Sequence, residues 1–186
     1  MFNRNFLNND IGYFTDTISE PSLLIKFIEE LNSNESKTIF SEWENVDQDS
    51  FVKCFFAENV EINDPRTLYI FNSLYSGMRF CLDLYGEMKN ITGPFNIYKK
   101  INLNKNINLT NVNKDFYENN KNVEFIILSF LNDDYEGGEL VFPDNNISIK
   151  PEKGSTIVFP NYNKLNFKFN EITNGCRYMN SNCTLN

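Results

Sequence analysis

The chain has 186 residues, 41% of them hydrophobic and 15% aromatic, which is enough for one compact domain and too little for two ordinary ones. With 17 Lys+Arg against 25 Asp+Glu it carries a net charge of −8, so phosphate backbones repel it and no nucleic-acid partner is expected. Its longest apolar runs, such as Phe125-Ile126-Ile127-Leu128, fall far below the roughly 18 residues of a membrane span, and the polar start from Met1 to Asp10 does not read as a signal peptide.

From Ser19 the segment SEPSLLIKFIEEL predicts an amphipathic helix. Ser19 suits the N-cap, Pro21 suits the first turn, and Leu23, Leu24, Phe27, Ile28 and Leu31 form one apolar stripe. Short apolar pieces at Thr38 to Phe40 and Phe51 to Phe56 read as strands. A longer helix begins at Asp64-Pro65, a cap followed by a first-turn proline. Its stripe runs through Leu68, Phe71, Leu74, Tyr75, Met78, Leu82 and Tyr85, read as core packing, and it ends near Gly86 to Asn90 with Gly93-Pro94 as the turn beyond. Downstream, Val123 to Leu131, Glu139 to Phe142, Ile147 to Ile149, Ser155 to Phe159, Leu165 to Phe169 and Cys176 to Asn180 read as short strands separated by turn residues. Two helices followed by many short strands predict a single α+β domain over residues 1–186, its strands forming a sandwich or jelly roll.

There is no histidine in the sequence, which excludes Ser-His-Asp and Cys-His triads and every metal site that depends on imidazole. Asparagine is heavily used, 32 residues, while alanine occurs once, at Ala57. That bias reads as a very AT-rich genome: a phage, a large virus or an AT-rich microbe. The four cysteines, Cys54, Cys81, Cys176 and Cys183, form no Cys-x-x-Cys pair, and a zinc site would need all four to converge. Cys54 and Cys81 read as small packed hydrophobes.

The segment from Phe130 to Tyr178 carries a more specific pattern. Phe130-Leu131-Asn132-Asp133 leads into Glu136-Gly137-Gly138-Glu139-Leu140. Lys150-Pro151 with Gly154, Phe159-Pro160, and Thr173-x-Gly175-x-Arg177-Tyr178 follow in order. This set closely resembles the C-terminal half of the iron(II)/2-oxoglutarate-dependent dioxygenases, in their prolyl 4-hydroxylase-like branch. The resemblance implies a double-stranded β-helix, a jelly roll with two flanking N-terminal helices. In active members it implies one Fe(II) held by a His-x-Asp pair and a distal His, with open positions for 2-oxoglutarate and O₂.

The departures fall on the metal ligands. Asn113-Lys114-Asp115 stands where the resemblance places His-x-Asp, so Asp115 keeps the carboxylate and Asn113 replaces the first His. The distal His of the family, counted back from its Arg, falls on Phe167, whose ring offers no lone pair to a metal. One amide and one carboxylate do not hold Fe(II) as the facial triad does, so Fe(II) is not expected and no catalytic residue is assigned. Arg177 stands where the family pairs a basic residue with the far carboxylate of the cosubstrate. It reads either as a residual anion pocket for 2-oxoglutarate or a similar dicarboxylate, or as a structural group that pairs with an internal carboxylate or caps the sheet. Thr173 and Tyr178 read as strand and turn residues, and the acidic run Asp133-Asp134-Tyr135-Glu136 as a solvated turn.

The expectation is a catalytically degenerate dioxygenase-like protein kept as a binding or structural module, with a protein partner or a second copy of itself, and without nucleic acid or membrane. Its expected location is cytoplasmic, meaning host cytoplasm or virion if the source is viral. The alternative is an active 2-oxoglutarate-dependent hydroxylase with an atypical metal site. A third reading is a 2-oxoglutarate-sensing or carbohydrate-binding domain that uses the old cavity without chemistry.

Overall fold

The structure, a computed structural model, describes residues 4–8, 10–33, 40–45, 51–56, 64–86, 91–101, 122–161 and 165–185. Among these residues the strands are β1 (Arg4–Phe6), β2 (Gly12–Phe14), β3 (Phe40–Asn45), β4 (Phe51–Phe56), β5 (Ile91–Ile101), β6 (Val123–Phe130), β7 (Glu136–Gly137), β8 (Leu140–Phe142), β9 (Ile147–Ile149), β10 (Thr156–Pro160), β11 (Lys168–Phe169), β12 (Ile172–Asn174) and β13 (Cys176–Leu185). The helices are α1 (Pro21–Ser33) and α2 (Pro65–Tyr85). All strand pairs are antiparallel, in an eight-stranded sheet of order β1-β2-β10-β6-β13-β5-β4-β3, a three-stranded sheet β11-β8-β9 and a two-stranded ribbon β12-β7.

Alternation along the central strands divides the core in two. On β6, Phe125 and Ile127 face the helices while Ile126, Leu128 and Phe130 face the smaller sheets, as a two-residue period requires. Strand β10 does the same, sending Val158 to the helices and Ile157 and Phe159 to the other side. One core therefore packs Leu24, Ile28, Ile70, Leu74 and Met78 onto the large sheet, and the other packs Leu140, Phe142 and Ile149 against its opposite face. Every residue of β6 except Glu124 is buried because a layer covers each face, which is why its sequence is apolar almost throughout.

Helix α2 is capped as expected. The Asp64 carboxylate accepts from the Arg66 backbone N–H at 2.8 Å, Pro65 opens the first turn, and Gly86 closes the last. The buried stripe, however, is rotated from the one expected. Thr67, Ile70, Leu74, Gly77, Met78, Cys81 and Leu82 face inward, whereas Leu68 is 41% exposed and Phe71, Tyr75 and Tyr85 are half-buried. Contact with the segment before α1 sets that rotation. A Cβ on Gly77 would lie 2.6 Å from the Thr17 carbonyl oxygen, so the helix rests on backbone at the one position without a side chain. Beneath it runs a hydroxyl chain, Thr17 Oγ1 to Thr156 Oγ1 at 2.8 Å and Thr156 Oγ1 to Ser129 Oγ at 3.0 Å, which gives these three hydroxyls partners within the core. Cys81 is fully buried among them, and burial pushes its thiol up to about 12, as expected of a packing residue. The side chain of Cys54 lies outside the described residues.

Further expectations are corrected by the long-range pairing. Gly93-Pro94 is not a turn: both residues lie inside β5, opposite the irregularity between Ser181 and Cys183 of β13, where a proline is tolerated because the ladder is already interrupted. The N-terminus of α1 also differs. Pro21 is its first residue, Leu24 N–H donates to the Glu20 carbonyl at 3.2 Å, and Glu20 rather than Ser19 takes the cap position. Strand β11 is only Lys168–Phe169, so Leu165 to Phe167 run unpaired, and β13 continues to Leu185, beyond the expected Asn180. The pieces β1, β2, β7 and β12 lack a legible period, since each has only two or three residues.

Candidate functional site

Strand β13 turns Arg177 into the space between the large sheet and the smaller ones, on the same side as Met179. The side chain is 1% exposed. Its Nη1 donates to the Gly138 carbonyl at 3.0 Å, and the guanidinium carbon lies 4.0 Å from the centre of the Phe169 ring. Among the described residues Arg177 Nε is buried without a hydrogen-bond partner, and the buried hydroxyl of Tyr135 meets no polar group other than the guanidinium it faces. No carboxylate among the described residues pairs with the guanidinium. Burial accordingly pulls the Arg177 pKa down to about 10. Burial pushes the Tyr135 phenol up to about 12, with the positive Arg177 opposing.

The Glu136-Gly137-Gly138 run creates this arrangement. Both glycines have φ of 70°, in the left-handed region. A Cβ on Gly138 would approach Tyr135 Cε2 to 2.9 Å and Arg177 Nη1 to 3.4 Å, so the doubled glycine brings backbone against the guanidinium. Lys150 seals the outside. Its Nζ donates to the carbonyls of Tyr135 (2.8 Å) and Gly137 (2.6 Å) and sits 3.6 Å from the centre of the Tyr135 ring. Desolvation lowers its pKa, and the like charge of Arg177 adds to that. Two cations therefore flank one tyrosine, and the inner one meets no anion among the described residues.

Asn132 holds the start of β13 in place. Its Nδ2 donates to the Cys176 carbonyl at 2.7 Å and to Asp134 Oδ1 at 2.5 Å, while its Oδ1 accepts from the Tyr178 backbone N–H at 2.7 Å. The acidic turn around it is exposed at Asp133, Asp134 and Glu136, and Asp133 Oδ2 accepts from the Lys153 backbone N–H at 3.2 Å. Thr173 lies exposed on β12. Tyr178 faces the helices, away from Arg177, and its hydroxyl donates to Glu29 Oε1 at 2.8 Å.

Phe167 enters the same inter-sheet core from the unpaired stretch before β11. Its ring centre lies 5.1 Å from that of Phe159 and 6.3 Å from that of Phe142, which are themselves 5.2 Å apart edge to face. This corner presents three rings and no lone pair for a metal. Asn113 and Asp115 lie outside the described residues. Among the described residues, no group of three or more His, Cys, Asp or Glu side chains is placed to hold a metal ion. Nor is any described helix long and apolar enough to cross a membrane. Sequence reasoning singled out Arg177 and Phe167 but missed Tyr135, Lys150 and Phe169 as surroundings of Arg177. Tyr135 stood in the acidic run read as a solvated turn, and Lys150 in the Lys150-Pro151 motif.

No family model and no curated protein matches this sequence. Solved structures do. The viral collagen prolyl hydroxylase of Paramecium bursaria Chlorella virus-1, in its 2-oxoglutarate complex, superposes with a TM-score of 0.61 over 93% of this chain and 94% of that one, at 11% identity. A Trichoplax adhaerens prolyl hydroxylase, solved with a hypoxia inducible factor oxygen degradation domain peptide, gives 0.58 over 96% and 84%, at 14% identity. A Burkholderia pseudomallei oxidoreductase of the 2-oxoglutarate-Fe(II) oxygenase family gives 0.55 over 85% and 77%, at 14% identity. Motif order, sheet arrangement and these superpositions agree: the chain has the fold of the prolyl hydroxylases and 2-oxoglutarate-Fe(II) oxygenases.

Proposed function

We propose that this protein is a catalytically degenerate relative of the 2-oxoglutarate/Fe(II) dioxygenases, its jelly roll kept as a binding or structural module. The observation that carries the reading is the Phe167 ring set against Phe142 and Phe159, in a chain without a single histidine. On the sequence resemblance Phe167 stands for the distal metal ligand. Asn113 and Asp115 would supply one amide oxygen and one carboxylate, too few and too weak for the Fe(II) of an oxygenase. Iron does not fit this donor set, and no chemical step is derived through it.

The charge and donors of Arg177 suit a carboxylate. The unpartnered Nε and the Tyr135 hydroxyl, which faces the guanidinium, are two donors in a buried, positively charged place. A dicarboxylate such as 2-oxoglutarate would be held there by charge and hydrogen bonds alone, without the chelation a metal adds. The module then acts through a protein partner or a second copy of itself, in the cytoplasm or, for a viral source, in the virion.

The test is succinate formation from 2-oxoglutarate by purified protein with Fe(II), ascorbate and air, followed by proton NMR. No succinate above the protein-free control is the expected result across a range of iron concentrations. Chelator-sensitive succinate formation would overturn the reading in favour of an active hydroxylase with an atypical metal site.

A further inference from the structure

Of the 32 asparagines, only Asn174 is followed by glycine. The structure places this dipeptide where β12 ends and the chain turns into β13. Asn174 is exposed and its side-chain amide makes no hydrogen bond among the described residues. Gly175 has φ of 83°, and a Cβ on it would sit 3.0 Å from the Asp134 carbonyl oxygen and from Tyr135 Cα. The turn thus demands glycine and leaves the following peptide nitrogen without a side chain to shield it. Strand β12 pairs only with β7, in a ribbon whose register shifts between Ile172 and Asn174. Ribbons this short are marginal by themselves, so this one opens more readily than the eight-stranded sheet. Opening frees the Asn174 backbone to rotate its amide carbon toward the Gly175 nitrogen.

We propose that Asn174-Gly175 is a site of spontaneous covalent modification. The backbone nitrogen of Gly175 attacks the side-chain carbonyl carbon of Asn174. A new C–N bond closes a five-membered imide, the bond to the amide nitrogen breaks, and ammonia leaves with the proton from the Gly175 nitrogen. Water then opens the imide at either carbonyl, giving aspartate or isoaspartate. Each product adds one negative charge to a chain already at −8, and the aspartate product places it directly across from Glu136 in the β7–β12 register. Isoaspartate also lengthens the main chain by one carbon, immediately before the Cys176 carbonyl that accepts from Asn132 and the Arg177 that follows it.

The test is incubation of the native full chain at mildly alkaline pH, with peptide mapping by mass spectrometry and isoaspartyl methyltransferase labelling. Position 174 is expected to convert before the other asparagines, with ammonia released in step, and Asn174→Gln removes that early phase. The proposal is overturned if the native chain keeps its Asn174 amide while the urea-unfolded chain loses it, or if another asparagine converts first. Asn174→Asp supplies one product directly and is expected to lower the unfolding midpoint by a few degrees. An unchanged midpoint would overturn the stated consequence for the ribbon.

Discussion

Replacing Arg177 with methionine tests whether the inter-sheet cation is a stability liability retained for an anion. Burial takes the Arg177 pKa from an ordinary 12.5 to about 10, which corresponds to roughly 3 kcal/mol spent in keeping the charge there. Methionine fills similar space with no charge and gives up the hydrogen bond to the Gly138 carbonyl, about 1–2 kcal/mol. The difference favours the variant by about 1–2 kcal/mol, or roughly 2–8 °C in a chain of this length. Thermal unfolding followed by circular dichroism, in buffer free of carboxylates, reads it directly. The second arm adds 2-oxoglutarate or succinate. At a hundred-fold excess over the dissociation constant, about 2.7 kcal/mol of protection is expected in the wild type and none in the variant. If Arg177→Met unfolds more easily than the wild type by 1 kcal/mol or more without ligand, the charge is compensated inside the fold and the carboxylate reading loses its basis.

The double substitution Phe167→His with Asn113→His restores the donor set of the facial triad and is expected to create Fe(II) affinity measurable by calorimetry under anaerobic conditions; no heat of binding would refute the placement of these two ligand positions. Carboxylate protection of the wild type depends on a protonated guanidinium, so it is expected to hold at neutral pH and fall as pH rises through about 10. Over the same range the ligand-free fold gains stability relative to the unfolded chain, because the unfolded chain keeps its proton up to an ordinary 12.5. Asn132→Ala removes three hydrogen bonds at a site only 7% exposed, among them those to the Tyr178 N–H and the Cys176 carbonyl. An expected loss of about 2–4 kcal/mol is checked by denaturant unfolding, and a loss below 0.5 kcal/mol would show the turn to be held otherwise.

The sequence by itself determined what local physics encodes. A capping Asp64 with Pro65 started α2, and the largely apolar run from Val123 to Phe130 marked a strand. The ordered motifs around Gly137-Gly138 and Arg177 pointed to the fold, and the absence of histidine removed imidazole chemistry at once. Tertiary structure decided what depends on distant partners. Gly93-Pro94 reads as a turn in isolation and becomes strand only because β13 pairs across it with an irregularity to spare. The buried face of α2 is chosen by the Thr17 backbone beneath Gly77, not by where its leucines and aromatics cluster. The presence of Tyr135, Lys150 and Phe169 around Arg177, with no carboxylate beside it among the described residues, comes from four separate segments converging between two sheets. Periodicity records how one element meets the core; it carries no term for which side chain from another element arrives opposite.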